Sequence, residues 1–333
     1  MNPAFQALIT IIVGVGGCVG YFYLSNLFLD RILFPPRGPK AGRNINRANA
    51  VRPWLFLFPA LFALGLYLAY PVFETLRLSM IDRSAGGAFV GAENYMRMIN
   101  DPKFWEALRN NFLWLLIVPA ASTAFGLLAA QLTDRIGWGN IAKSLIFMPM
   151  AISFVGAAVI FKLVYDARPE DVAQIGILNA VYLQLGGAEP VTWLTVPFWN
   201  NLFLMVVLIW IQTGFAMVIL SAALRGIPEE TIEAAIVDGA NPFQIFFKIK
   251  VPQIAGTIVV VWTTITIVVL KVFDIVFAMT NGQWETQVLA NFMYDKLFRA
   301  NDWGVGSASA MVIMLLVTPI LVWNVYNARK EMR

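Results

Sequence analysis

Seven stretches of this chain are each long and apolar enough to cross a bilayer, and that constrains its fold more than any other feature. A helix needs about 20 mostly apolar residues to span a hydrocarbon core of about 30 Å. The stretches lie near 5–29, 54–80, 108–133, 141–165, 198–224, 254–279 and 305–327. In lipid the backbone must satisfy its own polar groups, which leaves helices or closed barrels. The stretches show no period-two alternation, so a barrel is not expected. Composition agrees: 13% of the 333 residues are charged and 59% are apolar or aromatic. Soluble domains carry about 25% charged and about 45–50% apolar residues. The expected fold is an all-α integral membrane bundle of seven helices. It is read as an extra helix with a basic linker (1–53) and a six-helix core (54–333).

The first stretch reads as a retained span rather than a signal peptide. No Lys or Arg precedes it, and 25 residues is long for a signal's apolar region. Gly16 and Gly20 form a GxxxG pair with Gly14 and Gly17 nearby. Such a face lets another helix approach closely, although glycine is also simply frequent in membrane helices.

The loops set an expected orientation. Segments 30–53, 134–143 and 225–253 and the C-terminal tail hold fourteen Lys and Arg, including Arg31, Arg52, Arg135, Lys143, Lys248, Lys250, Arg329, Lys330 and Arg333. The alternate loops hold seven: Arg83, Arg97, Lys103, Arg109, Arg168, Lys296 and Arg299. The positive-inside rule makes the richer set cytoplasmic, with the N-terminus outside and the C-terminus inside. The net charge of +4 is then topological and not a nucleic-acid footprint.

The inventory also removes chemistry. There is no histidine, which excludes His-based triads and His-ligated zinc. The single cysteine, Cys18, cannot form an internal disulfide. No Gly-Lys dipeptide occurs, so the chain has no Walker A phosphate loop. Any nucleotide energy must enter through another chain.

Segment 225–253 differs from the other loops. Pro228-Glu229-Glu230 reads as a helix start, with acids at the positive end of the dipole. Glu233, Ala234 and Ala235 continue the helix, and Gly239 supplies the positive φ that ends it. Asn241-Pro242 opens a second short helix whose Phe243, Phe246, Phe247 and Ile249 can pack on a partner or on the bundle. The loop is read either as a helix pair that docks into a partner's groove or as a linker lying on the membrane.

Glu233-Ala234-Ala235-x-x-Asp238-Gly239-Ala240, followed by Phe246, Ile249 and Pro252, resembles the EAA loop of ABC importer permeases. Leu224-x-Gly226-Ile227-Pro228 precedes it as in that family, and Val251 departs conservatively from the usual leucine. Phe89-Val90-Gly91-x-Glu93-Asn94-Tyr95 and Lys271-Val272-Phe273-Asp274, ending in Thr280-Asn281-Gly282, are similar to segments of the carbohydrate, maltose-transporter type, most of all the alpha-glucoside importers. The resemblance covers about 54–327. It implies a type I importer permease forming half of a pore and working by alternating access. The other half would be a second homologous permease. Two ATPase subunits would bind ATP and Mg, with no cofactor in this chain. A periplasmic sugar-binding protein would deliver cargo in the bacterial inner membrane. The resemblance makes Glu233, Ala234, Ala235, Asp238 and Gly239 the ATPase-coupling residues.

Polar groups within the spans complete the expectations. Lys271 and Asp274, three apart on one helix face, either line the substrate pathway or pack against the partner permease. Trp210, Gln212, Thr213 and Phe215 cluster before the loop and would offer a sugar aromatic faces and hydrogen bonds; the same aromatics also suit lipid or packing. Lys162 and Arg77 sit at span ends, where long side chains snorkel. Trp54, Trp193, Trp199, Trp303 and Trp323 read as interface residues. Asn94 and residues 101–105 are expected outside, facing a binding protein. A stand-alone secondary transporter or channel is the competing class, with a membrane enzyme more distant.

Overall fold

The computed structural model describes residues 3–83, 86–134 and 136–331, and the chain divides into two compact units, Met1–Glu74 and Thr75–Arg333. In the first unit, α1 (Pro3–Phe28) runs on through a π-helical turn at Leu29–Leu33. After the basic linker, α2 (Ala41–Leu64) leads through a second π turn, Gly65–Ala69, into α3 (Tyr70–Ser79). The two long helices are tied near the linker. The Arg52 guanidinium donates to both carboxylate oxygens of Asp30, at 2.8 and 3.0 Å, and to Asn26 at 3.0 Å. Both bonds to Asp30 come from one guanidinium nitrogen, and charge-assisted hydrogen bonds are stronger than neutral ones, so Arg52 is an anchor as well as a topological charge. Further along, the Tyr21 hydroxyl donates to the Leu55 carbonyl at 2.8 Å, and Phe22 meets Phe56 edge-on. Gly14, Gly16, Gly17 and Gly20 have nothing within 4 Å of where a β-carbon would stand.

The second unit opens with a two-stranded antiparallel ribbon, β1 (Ile81–Asp82) and β2 (Ala88–Phe89), then α4 (Glu93–Ile99) and α5 (Pro102–Thr133). Asp101 caps α5 by accepting from the Lys103 N–H, and Pro102 occupies its first turn. The helix therefore starts ahead of the apolar run at 108. Next come α6 (Gly139–Phe147), α7 (Phe154–Val164), α8 (Ile177–Gln184) and α9 (Trp199–Arg225). The chain continues with α10 (Glu229–Val237), α11 (Pro242–Gln244), α12 (Val251–Gln253), α13 (Ala255–Leu270), α14 (Asp274–Met279), α15 (Leu289–Tyr294) and α16 (Trp303–Glu331).

The core lies where α5, α9 and α13 meet, around fully buried Trp114, Val118, Leu204, Met217, Leu220 and Ile265. Glycine makes the closest approach possible. A β-carbon on Gly126 would stand 2.4 Å from that of Ala216, and one on Gly214 would stand 2.6 Å from the Ile146 carbonyl oxygen. Lipid supplies little hydrophobic drive between helices, so small residues that let backbones touch carry the packing.

Two of the seven expected spans are broken. The stretch 141–165 is α6 and α7 joined at 104° through a 3-10 turn at Met148–Ala151. Pro149 has no N–H to continue the ladder, and Ser153 caps α7 by accepting from the Gly156 N–H at 3.1 Å. The stretch 254–279 ends as a helix at Leu270, and α14 restarts at Asp274. Lys271 and Asp274 therefore do not share a helix face. One closes α13, and the other, an acid, sits in the first turn of α14.

Contacts group the loops of this unit at two ends. At one end Ser221 donates to the Asp134 carboxylate at 3.0 Å, and Lys250 donates to Gln131 at 3.3 Å. This joins 134 to the 225–253 segment. At the other end Lys296 pairs with Asp101 at 2.7 Å, Arg97 with Asp302, and Asn200 with the Trp284 carbonyl. That alternation matches the loop assignment used for the charge count. Of the counted residues, Arg135 and Arg333 lie outside the described residues.

Candidate coupling loop and translocation cavity

The 225–253 segment folds as two short helices joined by a glycine turn. α10 begins after Pro228 with Glu229 and Glu230 in its first turn, and it ends at Asp238. Gly239 has φ +79°. Its N–H donates to the Ile236 carbonyl at 3.0 Å, and the Ala240 N–H donates to the Ala235 carbonyl at 2.9 Å. These paired bonds form a Schellman motif, which needs the left-handed residue that glycine supplies most readily. Asn241 then caps α11 in a capping box: its side chain accepts from the Gln244 N–H, and the Gln244 side chain accepts from the Asn241 N–H, both at 2.9 Å.

This geometry sorts the expected coupling residues. Glu233, Ala234, Asp238 and Gly239 are exposed, while Ala235 is buried, as are Ile227 and Ile245. Ala235 therefore holds the loop together and is not part of its outer face. That face is more apolar than the motif suggested. Val237 is 85% exposed and Phe243 77%, with Ile236 and Phe247 also exposed. Phe246 and Ile249 are half-buried.

Of the pathway candidates, the structure brings Gln212 and Asp274 together. Both line a cavity of about 420 Å³ with Ser153, Phe154, Ile152 and Ile211. Gln212 is buried, and among the described residues nothing hydrogen-bonds to its amide. Lys271 and Asp274 flank an adjoining cavity of about 160 Å³ with Phe154 and Leu208, without an ion pair between them. The remaining three are not among the residues lining this space. Trp210 meets Phe161 edge-on at 5.3 Å, the Thr213 hydroxyl donates to the Ile209 carbonyl at 2.7 Å, and Phe215 packs on the core.

Residues 122–331 match the family described as binding-protein-dependent transport system inner membrane components. The chain belongs to that family. It is 64% identical over 99% of both chains to the alpha-glucoside transport system permease protein AglF of Rhizobium meliloti. It is 47% identical to the osmoprotective compounds uptake permease protein GgtC of Synechocystis, over 84% of this chain and all of that one. The crystal structure of a bacterial ABC transporter that imports alginate contains a chain of the same fold. Its TM-score is 0.73 at 19% identity, covering 88% of this chain and all of that chain. This is an ABC importer permease.

For such a permease the end opposite the 225–253 loop matters equally, and its ordering elements escaped the sequence reading. Trp284 and Glu285 have φ of 52° and 62°, a conformation non-glycine residues avoid. Two pairs of asparagines hold this turn and the start of the helix that follows it. Asn110 on α5 donates to the carbonyls of Glu285 and Gln287, both at 2.8 Å. Asn111 accepts from the Leu289 N–H at 2.8 Å. Asn200 and Asn201 on α9 donate to the Trp284 and Glu285 carbonyls. Strained backbone persists only when its surroundings over-determine it. The available signal was an Asn-Asn pair near the start of each of two apolar spans, where polar groups need a reason.

Other outer residues also change role. Asn94 is 1% exposed: it donates to the Ser79 and Ile81 carbonyls, both at 3.0 Å, and accepts from Arg97. It holds β1 to α4 and is no docking residue. Within 101–105, Asp101 caps α5 and Phe104 is buried, whereas Trp105 is exposed. Lys162 donates to the Ala278 carbonyl at 3.4 Å, linking α7 to α14. Trp54, Trp199 and Trp323 are exposed as interface residues would be, but Trp193 packs on Tyr182 and Phe203, and Trp303 lies under the Arg83 guanidinium at 4.5 Å.

Proposed function

We propose that this permease is one half of the pore of an ATP-driven importer of alpha-glucosides. A second homologous permease completes the pore, two ATPase subunits dock on the cytoplasmic side, and a periplasmic binding protein delivers the sugar. The substrate class follows the AglF relative at 64% identity over the whole chain. Binding-protein delivery follows the family description and the alginate importer, which has been solved with its periplasmic protein. The loops that carry Arg31–Arg52 and Lys248–Lys250 face the cytoplasm, and the N-terminus lies outside.

One observation carries the mechanism. The 225–253 loop presents Val237, Phe243 and Phe247 to solvent beside Glu233 and Asp238. An exposed apolar patch rimmed by charge marks an interaction surface. Docked in an ATPase groove, the loop would move with nucleotide-driven closure and tip a bistable bundle between its two openings. ATP and Mg act on the partner; this chain contributes the lever. At the other end of the lever, the Gln212 amide and the Asp274 carboxylate face the cavity with hydrogen-bonding capacity unused. Apolar walls and a few convergent polar groups suit a sugar that must bind and then leave.

The test is reconstitution of the permease pair with its ATPase in liposomes, with binding protein and radiolabelled alpha-glucoside. ATP-dependent uptake is expected. Val237→Glu with Phe243→Glu should release the ATPase from the purified complex. Uptake by this chain alone, with no ATPase present, would replace the importer by a stand-alone transporter.

A further inference from the structure

Between the cavity and the end opposite the coupling loop runs a continuous series of rings. Phe273 lines the smaller cavity beside Lys271 and Asp274. It stacks on Phe277 with centroids 4.9 Å apart. Phe277 meets Tyr294 at 5.1 Å, and Tyr294 meets Phe298 at 5.0 Å. The Arg299 guanidinium lies 5.7 and 5.8 Å from the Phe277 and Tyr294 rings. Phe273, Phe277 and Tyr294 are half-buried, and Phe298 is exposed.

The secondary structure builds this alignment. The break after Leu270 restarts the helix so that Phe273, its N-cap residue, and Phe277, within it, stand four residues apart, the Phe277 N–H donating to the Phe273 carbonyl. Tyr294 and Phe298 stand four apart on the next, where the helix widens to π geometry at Asp295–Arg299. Such bulges recur at functional sites. The strained 281–287 turn, clamped by the paired asparagines, fixes the two ring pairs in register.

We propose that Phe273, Phe277, Tyr294 and Phe298 form a stacking track along which a sugar passes between the outer face and the Gln212–Asp274 cavity. The proposal rests on the reading of this chain as an alpha-glucoside permease. The polar groups along the track select this occupant. A stripe facing acyl chains can carry Tyr and Arg at its outer end, where such side chains reach the interface, but it would not end at depth beside unpaired charges. This one carries a guanidinium near its outer end and ends beside a carboxylate and an ammonium, and among the described residues nothing hydrogen-bonds to the Tyr294 hydroxyl. Arg299 is itself paired with Asp295 at 3.0 Å, so the free polar groups are the Tyr294 hydroxyl and the Lys271 and Asp274 charges, which with the ring faces match the hydroxyls and C–H faces of a pyranose. The sugar slides because each ring contributes only a modest stacking energy.

A longer oligosaccharide spans more rings at once, and this gives the track a signature that packing alone would not have. The experiment compares maltose and maltotriose uptake by the reconstituted importer carrying Tyr294→Leu or Phe298→Leu, with Tyr294→Phe and Phe298→Trp as ring-retaining controls. The track predicts that either leucine variant lowers kcat/KM for maltotriose by about fivefold and for maltose by less. The ring-retaining variants should restore both, and complex yield and melting temperature should stay unchanged throughout. Equal losses for the two sugars, a loss that follows melting temperature, or no loss at all would overturn the track. If the wild-type importer carries neither sugar, the alpha-glucoside reading fails first and takes the track with it.

Discussion

Gly239 offers the sharpest test of the coupling loop because its backbone and its surroundings demand different things. Its φ of +79° belongs to the left-handed region, and two hydrogen bonds of 2.9 and 3.0 Å close the helix around it. A β-carbon there would meet nothing within 4 Å. Substitution therefore costs conformational strain without a clash, and the bundle core is untouched. The left-handed conformation costs an ordinary L-residue about 1–2 kcal/mol, less for asparagine and more for a β-branched side chain. Since about 1.4 kcal/mol is a factor of ten, Gly239→Ala should depopulate the turn several-fold and Gly239→Val further. ATP-driven uptake in proteoliposomes should fall in the order Gly, Asn, Ala, Val, with the melting temperature of the purified complex unchanged. Gly239→Asp adds a third acid to the exposed face of Glu233 and Asp238 and should uncouple transport more than Gly239→Asn. Full uptake by Gly239→Val would refute the claim that the turn geometry transmits the stroke. Equal losses for Asn and Val would show that bulk, not φ, matters.

Three further outcomes follow from the packing and the cavity. Gln212→Leu removes an amide that faces the cavity; sugar uptake should fall across all concentrations while the complex still assembles, and an unchanged rate removes Gln212 from the pathway. Asn110→Leu leaves the Glu285 carbonyl with Asn201 as its remaining side-chain donor and removes the Asn110 donor from the Gln287 carbonyl. Buried groups left unpartnered cost about 1–3 kcal/mol each, and a lowered melting temperature together with faster proteolysis within 280–290 is the expected readout. Gly126→Ala drives a methyl group to 2.4 Å from Ala216 and should destabilise the α5–α9 contact by about 1–3 kcal/mol. Gly16→Ala, with open space at its β-carbon, should leave thermal unfolding unchanged.

Five of the seven expected stretches fall in helices long and apolar enough to cross a membrane, because burial in lipid is a sum over about 20 residues, which single residues cannot disguise. Hydropathy could not locate breaks. The apolar run containing Pro149 bends by 104° between Ala151 and Phe154, yet Pro119 and Pro319 sit within uninterrupted helices. The outcome depends on whether neighbouring elements re-satisfy the freed carbonyls, which is tertiary information. The helical build of the 225–253 loop was legible because its signals are local: an acid-rich first turn, a positive-φ glycine and the Asn241-Pro242 helix start each act within a few residues. The motif groups Ala235 with the coupling residues although it is buried, because neither motif nor periodicity says which side of a short helix meets its own chain. Trp210, Thr213 and Phe215 illustrate the same limit on a longer helix, where residue type suited a sugar but helical phase turned all but Gln212 toward other partners.

The distribution of ion pairs gives the cavity its physical meaning. At the end opposite the coupling loop, basic residues are matched with acids: Lys296 with Asp101, Lys103 with Glu106, Arg299 with Asp295, and Arg109 with Glu285. Lys271 and Asp274 lie within one span and line one small cavity, yet no ion pair joins them. A charge held in hydrocarbon costs about 2.5–3.5 kcal/mol on insertion scales, and pairing is the direct way to lower that cost. Two opposite charges side by side that remain apart must each be solvated by something else. The helix break between them supplies the opportunity, since it turns backbone away from the ladder and leaves Asp274 lining both cavities, the larger of which also reaches Gln212. A hydrated lumen is the environment in which an unpaired carboxylate and ammonium are stable at that depth. It is also the environment in which they can exchange water for the hydroxyls of a passing solute. On the proposed importer reading, the break after Leu270 would be the feature that lets a pathway pass at this depth.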